Sequence, residues 1–295
     1  MTTLVSGGTG TVGRFVVEAL LGAGREVRVM GSTPPADGFF SGPVEFVEGA
    51  LDPARDQSAA FVGVRHFVHA AFDHAPGKYR GGEGDDPATF RRRNLDGSVA
   101  LFEAAKRAGV ERSIFLSSRA VYGVQPPGAM LTEDTEPRPD TLYGDVKLDA
   151  ERALAALSDD RFSGVSLRVT GVYGPAGRGQ PHKWADLFRD YLDGHPIAPR
   201  RATEVHGEDV AAAVLLALDA PSVPRVLNVS DIVVDRRDLL AILQQITGCP
   251  HPLPPASSEP LNEMNTDRLC AMDWRPGGMD LLRRSVSGLL AGTRV

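Results

Sequence analysis

The sequence predicts a doubly wound α/β fold: a mainly parallel, seven-stranded sheet with helices on both faces and a small C-terminal lobe. Two observations predict it. Short apolar runs alternate with helical patterns up to Ser230, the order expected of a parallel sheet covered on both sides. The first run, Thr3 to Ser6, leads into Gly7-Gly8-Thr9-Gly10-Thr11-Val12-Gly13, and that turn opens a helical pattern through Phe15, Val16, Ala19, Leu20 and Leu21. Strand, glycine turn and helix in succession form a phosphate cradle, because glycines allow close approach and the helix start offers free N–H groups.

In chain order, strands are expected near Thr2 to Ser6, Glu26 to Met30, Val44 to Val47, His66 to Ala70, Arg112 to Ser117, Gly164 to Val169 and Val226 to Val229. Helices fill the intervals, clearest at Ala100 to Ala108, Tyr143 to Leu157 and Asp209 to Leu218, where alanine and leucine dominate. Two segments break this rhythm. Residues 174–204 are rich in glycine, proline and arginine around a helical pattern with Trp184, Phe188 and Tyr191, and residues 231–295 hold a helix at Arg236 to Ile246, a proline-rich stretch and a helical tail. Both begin at the carboxyl ends of strands, where open α/β sheets bind ligands, and are expected to form a substrate lobe. Residues 1–173, with 205–230 returning to them, form the dinucleotide-binding domain.

The chain has 295 residues, 42% of them hydrophobic, and a formal charge of -6. That balance gives no electrostatic reason to bind nucleic acid or anionic membranes. No apolar run is long enough to span a bilayer, and strand character from Thr2 leaves no room for a signal peptide. A cytoplasmic protein is expected. Cys249 and Cys270 lack metal-ligand spacing and read as reduced core thiols. No metal is expected.

The chemistry lies in Tyr143 and Lys147, at i and i+4 on one helix. An ammonium on the same face favours the phenolate, so the tyrosine can take a proton from a substrate alcohol or give one to a carbonyl. Ser118 closes the strand Ile114-Phe115-Leu116-Ser117 at the sheet edge and can hydrogen-bond the reacting oxygen, while Asn94 can hold a water beside the lysine. The order of glycine turn, Asn94, Ser118, Tyr143 and Lys147 is that of a nicotinamide-dependent enzyme.

These residues, with Val68-His69-Ala70-Ala71, Asn94-Leu95-Asp96-Gly97, Val121-Tyr122-Gly123, Thr132-Glu133-Asp134, Tyr173-Gly174-Pro175 and Val205-His206-Gly207-Glu208-Asp209-Val210, resemble the extended short-chain dehydrogenase/reductases of the NAD-dependent epimerase/dehydratase family, which have Rossmann-type folds. The resemblance implies that Tyr143 is the general acid/base, Lys147 its pKa modulator and ribose ligand, Ser118 the substrate hydroxyl partner and Asn94 the fourth member of the tetrad. It implies NAD or NADP held by Gly7, Gly10, Thr11, Val12, Gly13, Ser32, Leu51, Ala70, Ala71, Tyr143, Lys147 and Val172, and a homodimer through the helices carrying Asn94 and Tyr143.

Departures from the family bear on cofactor and substrate. The acid that NAD-preferring members carry after the second strand is missing from Met30-Gly31-Ser32-Thr33, with Arg28 and Arg14 as possible helpers of a 2′-phosphate; after the third strand Ala50 replaces an aspartate. Nucleotide-sugar enzymes place an asparagine where this chain has Gly171, and their diphosphate-binding arginine falls at Ala202, with Arg200 and Arg201 just out of register. The leading expectation is therefore an NAD(P)-dependent oxidoreductase acting on a small sugar-like or polyol-like compound, with Arg119, Phe72, Arg80 and Gly171 on the substrate side. The alternative is an epimerase or dehydratase, of a nucleotide sugar among other substrates, with retained NAD, a dehydratase drawing further acid/base groups from Glu133 and Asp134. A non-catalytic dinucleotide sensor is the reading from a different class, and the complete tetrad weighs against it.

Overall fold

A computed structural model describes residues 1–73, 84, 86–177 and 180–292. Its strands are β1 (Thr2–Ser6), β2 (Glu26–Gly31), β3 (Glu45–Glu48), β4 (Val64–His69), β5 (Arg112–Ser118), β6 (Ser163–Val169), β7 (Gly171–Tyr173), β8 (Arg201–His206), β9 (Val226–Val229) and β10 (Ile232–Asp235). The helices are α1 (Gly13–Gly22), α2 (Pro87–Arg91), α3 (Gly97–Arg107), α4 (Leu142–Leu157), α5 (Ala185–Leu192), α6 (Gly207–Asp219), α7 (Arg236–Thr247), α8 (Asp267–Cys270) and α9 (Gly278–Gly292).

Seven strands form the main sheet in the order β3-β2-β1-β4-β5-β6-β9, and every pairing in it is parallel. The strands are apolar on both faces because both are covered. Val5, Ile114, Val165 and Leu167 pack with α1 and α6 through Val16, Leu20, Val210 and Val214. Leu4, Phe67 and Phe115 pack on the other side with α3 and α4 through Leu101, Phe102, Ala150 and Leu154. The chain order reverses between β1 and β4, so the carboxyl ends of those strands bracket the crevice where dinucleotides bind in such sheets.

A second sheet, order β10-β8-β7, escaped the sequence reading. Its strands run only three to six residues, too short for a period of two to stand out. Beside it, Tyr173, Trp184, Phe188 and Tyr191 share a core with Leu239, Leu240, Leu243 and Val286. The aromatic pattern at helical spacing is therefore packing, not a stacking platform. No helix among the described residues is long and apolar enough to cross a membrane.

Candidate active site

The glycine turn leaves β1 with Gly7 at φ 69°, in the left-handed region where a side chain is strained. A Cβ there would also lie 2.7 Å from the backbone of Ala71 and 2.9 Å from that of Ala70. Gly13 lets the first turn of α1 rest on the Gly7 carbonyl. The Gly7 N–H donates to the Met30 carbonyl and the Gly10 N–H to the Gly7 carbonyl, each at 3.0 Å. No side chain caps the start of α1 and no acid stands in its first turn. The N–H groups and positive end of that ten-residue helix, bordered by exposed Gly10 and Thr11, fit the pyrophosphate of a dinucleotide.

Farther along the same edge, Ser32 is exposed after β2. Arg28 pairs with Glu45 at 2.8 Å and donates to the carbonyls of Ala60 and Val62 at 2.7 and 2.9 Å, and Arg14 donates to the Pro175 carbonyl. Arg28 is thus engaged elsewhere, while Arg14, with one bond from one nitrogen, keeps further donors. The Gln57 amide holds Ala50 through two backbone bonds, at 2.9 and 2.8 Å. Next to it, the Leu51 backbone lies 2.8 Å from where a Cβ on Gly97 would stand, so the glycine of the Asn94-Leu95-Asp96-Gly97 motif serves close packing.

Thr141 caps α4 by accepting the Gly144 N–H at 3.1 Å, and Gly144 presses the helix start against the Ala120 carbonyl, 2.6 Å from its would-be Cβ. Tyr143 therefore stands beside the end of β5. One turn on, Lys147 is buried and donates to the Leu116 carbonyl at 2.7 Å. Its ammonium lies 4.4 Å from the ring centre of Phe72, 4.6 Å from that of Phe115 and 5.9 Å from that of Tyr143. Burial lowers the Lys147 pKa to about 7, and Glu151 pulls it the other way. Phe72 meets Tyr143 edge to face at 5.0 Å.

Ser117 and Ser118 point to different jobs, as successive strand residues do. Ser117 donates to Glu151, whose carboxylate pairs with Arg168 at 2.8 Å in a buried network. Ser118 accepts the Ala120 N–H at 3.1 Å and keeps its hydroxyl proton to donate. Asn94 is buried where the helix widens into a π turn, Arg92–Asp96, and its amide receives the Asp73 N–H at 2.7 Å while donating to the Asp73 and Phe90 carbonyls at 2.8 and 3.1 Å. That side chain fixes the chain after β4, next to Phe72, and its amide oxygen keeps one acceptor site.

The sequence reading missed the Glu151–Arg168 pair, although Glu151 sits at i+4 from Lys147 on one helix face. It also missed His69, whose Nδ1 and Nε2 lie 2.6 Å from Ser6 Oγ and 2.8 Å from Ser98 Oγ. Burial, with Lys147 nearby, lowers the His69 pKa to about 3.

On the substrate side, the Arg119 guanidinium donates to the Asn262 carbonyl at 2.9 Å, joining the end of β5 to the C-terminal segment. Gly171 starts β7, half-buried, with Val172 beside it, and the side chains of Lys183 and Glu204 crowd the space its own would fill. Glu133 is buried, accepts the Asn228 N–H at 2.9 Å and lies 3.6 Å from Arg268; Asp134 also pairs with Arg268. Of the two acids suggested for a dehydratase, Glu133 is thus built into the scaffold, while Asp134 is exposed and paired with Arg268. Arg91, Arg92 and Arg93 pair with Asp149, Asp52 and Asp73 at an exposed surface. Arg80, with the loop His74 to Arg80, lies outside the described residues. His206 accepts the Glu208 N–H to cap α6, and Asp209 accepts the Gly277 N–H, so this motif ties α6 to the C-terminal segment.

The model of the NAD dependent epimerase/dehydratase family matches residues 3–230. A UDP-glucose 4-epimerase of Streptomyces lividans is 30% identical over 241 residues, 73% of this chain and 70% of that protein. The chain spans about half the length of other curated relatives, 53% and 54% in two cases. Among solved structures, MoeE5 in complex with UDP-glucuronic acid and NAD is 25% identical with a TM-score of 0.81, covering 100% of this chain and 99% of the other. The UDP-glucose 4-epimerase of Thermus thermophilus in complex with NAD is 29% identical with a TM-score of 0.78, covering 98% and 99%.

Proposed function

This chain belongs to the NAD-dependent epimerase/dehydratase family, and we propose that it is an epimerase of a nucleotide sugar that retains NAD through each turnover. The observation that carries this reading is the reversible acid/base group Tyr143 with Lys147 and Ser118, in a site where the candidate acid Glu133 is buried against Asn228 and Arg268. Such a site can oxidise and re-reduce one carbon, and among the described residues Glu133 is not free to act as the extra acid/base group that elimination of water needs. The similarity to UDP-glucose 4-epimerases supports the same choice. It ranks a retained-cofactor epimerase above a dehydrogenase of small free sugars, which the residues at 171 and 202 alone favour.

When bound, NAD supplies the hydride acceptor and donor. Gly7, Gly10, Thr11, Val12 and Gly13 hold its pyrophosphate, and Lys147 its ribose. Tyr143 takes the proton of the substrate hydroxyl as the carbon is oxidised and returns one to the carbonyl oxygen as it is reduced. Ser118 donates to that oxygen throughout, while Lys147 stabilises the phenolate at short range in a site of low dielectric. NAD is favoured over NADP because Arg28 is engaged with Glu45, Ala60 and Val62 and because the related solved enzymes are complexes with NAD. A homodimer through α3 and α4 belongs to the same proposal.

Mass spectrometry of the nucleotide released on denaturing freshly purified protein tests the cofactor claim. Near-stoichiometric NAD(H) is expected; NADP(H) or an empty site contradicts it.

A further inference from the structure

We infer that Lys183, held by Glu204 over the bare backbone of Gly171, is the site's ligand for an anionic oxygen of the substrate. The inference rests on the nucleotide-sugar reading and deepens it, because it assigns a cation to a site where positions 171 and 202 offer none.

Placement comes first. Val169 pairs with Ser118 across the sheet, and Gly171 follows two residues later, so Gly171 lies at the same carboxyl edge as the proposed chemistry. In the adjoining sheet Gly171 faces Glu204. A Cβ on Gly171 would lie 2.7 Å from Glu204 Oε2 and closer still to Lys183 Nζ, so the absence of a side chain is what admits the pair. Lys183 is also pinned along the chain. Its neighbour Trp184 stacks on Tyr173 with ring centres 5.0 Å apart, and Tyr173 stands two residues after Gly171.

Charge and exposure then separate the two partners. The Glu204 side chain is 6% exposed and that of Lys183 28%, so the ammonium is the member that reaches outward. An ammonium has three N–H donors, and one bond to Glu204 leaves donors for a second anion. Arg200 acts electrostatically on both Lys183 and Glu204. The buried carboxylate is thus shared by two cations, and the exposed part of the Lys183 ammonium suits a diphosphate or a sugar carboxylate. Sequence alone hid this arrangement, since Lys183 lies 21 residues from Glu204 in a segment without a motif.

The test is titration of the protein as purified, and of three variants, with UDP, UDP-glucose and UDP-glucuronic acid at fixed ionic strength. Lys183→Gln is expected to weaken binding by about tenfold or more, the value of one charge-assisted bond, and Lys183→Arg to retain most of it. Glu204→Gln removes both the hold on the ammonium and the charge that favours its protonated form, and is expected to weaken binding more at high pH than at low. Equal losses on all three ligands in Lys183→Gln support contact with the diphosphate; a loss confined to UDP-glucuronic acid supports contact with the carboxylate. A pair that serves packing alone would make Lys183→Arg lose as much affinity as Lys183→Gln, or would leave affinity unchanged in all three variants, and either result overturns the assignment. Failure of the unaltered protein to bind any of the three overturns the nucleotide-sugar reading together with it.

Discussion

The proposed cofactor side, residues 1–173, and the proposed substrate side, residues 174–204 and 231–292, differ in how far their parts are gathered in short runs of sequence. On the first, a seven-residue turn supplies the phosphate cradle, and one helix start supplies both Tyr143 and Lys147. On the second, Lys183 meets Glu204 across 21 residues, Arg119 meets Asn262 across 143 and Arg268 meets Asp134 across 134. The proposed acid/base and phosphate-binding parts are therefore readable as motifs, whereas these other pairings exist only in the folded chain.

Removing the acid/base group gives the largest expected break in that contrast. Tyr143→Phe should lower turnover by about 10²–10⁴-fold while leaving the nucleotide content of the purified protein unchanged. Turnover equal to the unaltered enzyme would remove Tyr143 from the chemistry. A smaller effect, on stability, separates buried from exposed ion pairs. Glu151→Gln leaves Arg168 buried without its carboxylate and should cost about 3–5 kcal/mol in urea unfolding. Asp134→Asn, at an exposed partner of Arg268, should leave the unfolding midpoint within error. Equal effects would mean that the core network beneath Lys147 is not what holds the cofactor side together.

The smallest effect is a slope with pH. His69 has a folded pKa of about 3 against an ordinary 6.5, so on acidification the unfolded chain takes up a proton before the fold does. Its contribution is complete above pH 6.5 and is lost as pH falls from 6.5 through about 3, at up to about 1.4 kcal/mol per pH unit. Asp209 works in the opposite sense, because burial raises its carboxyl from 3.8 to about 6: its contribution is complete below 3.8 and is lost as pH rises through about 6. Replacing His69 with Asn should therefore flatten the acid limb of stability against pH. An unchanged limb would show that the buried imidazole does not control it.

All seven strands of the main sheet were legible because each is a short apolar run between helical patterns, with boundaries displaced by no more than two residues at either end. The glycine turn and the Tyr143/Lys147 spacing were legible for the same reason: each is local. The second sheet was not, since Gly171–Tyr173 and Ile232–Asp235 carry too few residues to show a period. Asn94 was legible as a motif residue, while its partner, the backbone of Asp73, was not. Gly171 reads as a lost contact for a like reason. The side chains that occupy its space come from Lys183 and Glu204, and nothing in the linear order joins them to it.

The most direct test of retained-cofactor epimerisation uses UDP-glucose carrying deuterium at C4, with no added nucleotide. If UDP-glucose is the nucleotide sugar turned over, its C4 epimer should form with the deuterium still on C4, because the hydride that leaves the carbon returns to the same carbon within one bound turnover. Loss of the label from C4, or no epimer and NADH accumulation once NAD is supplied, would contradict it and restore the dehydrogenase reading.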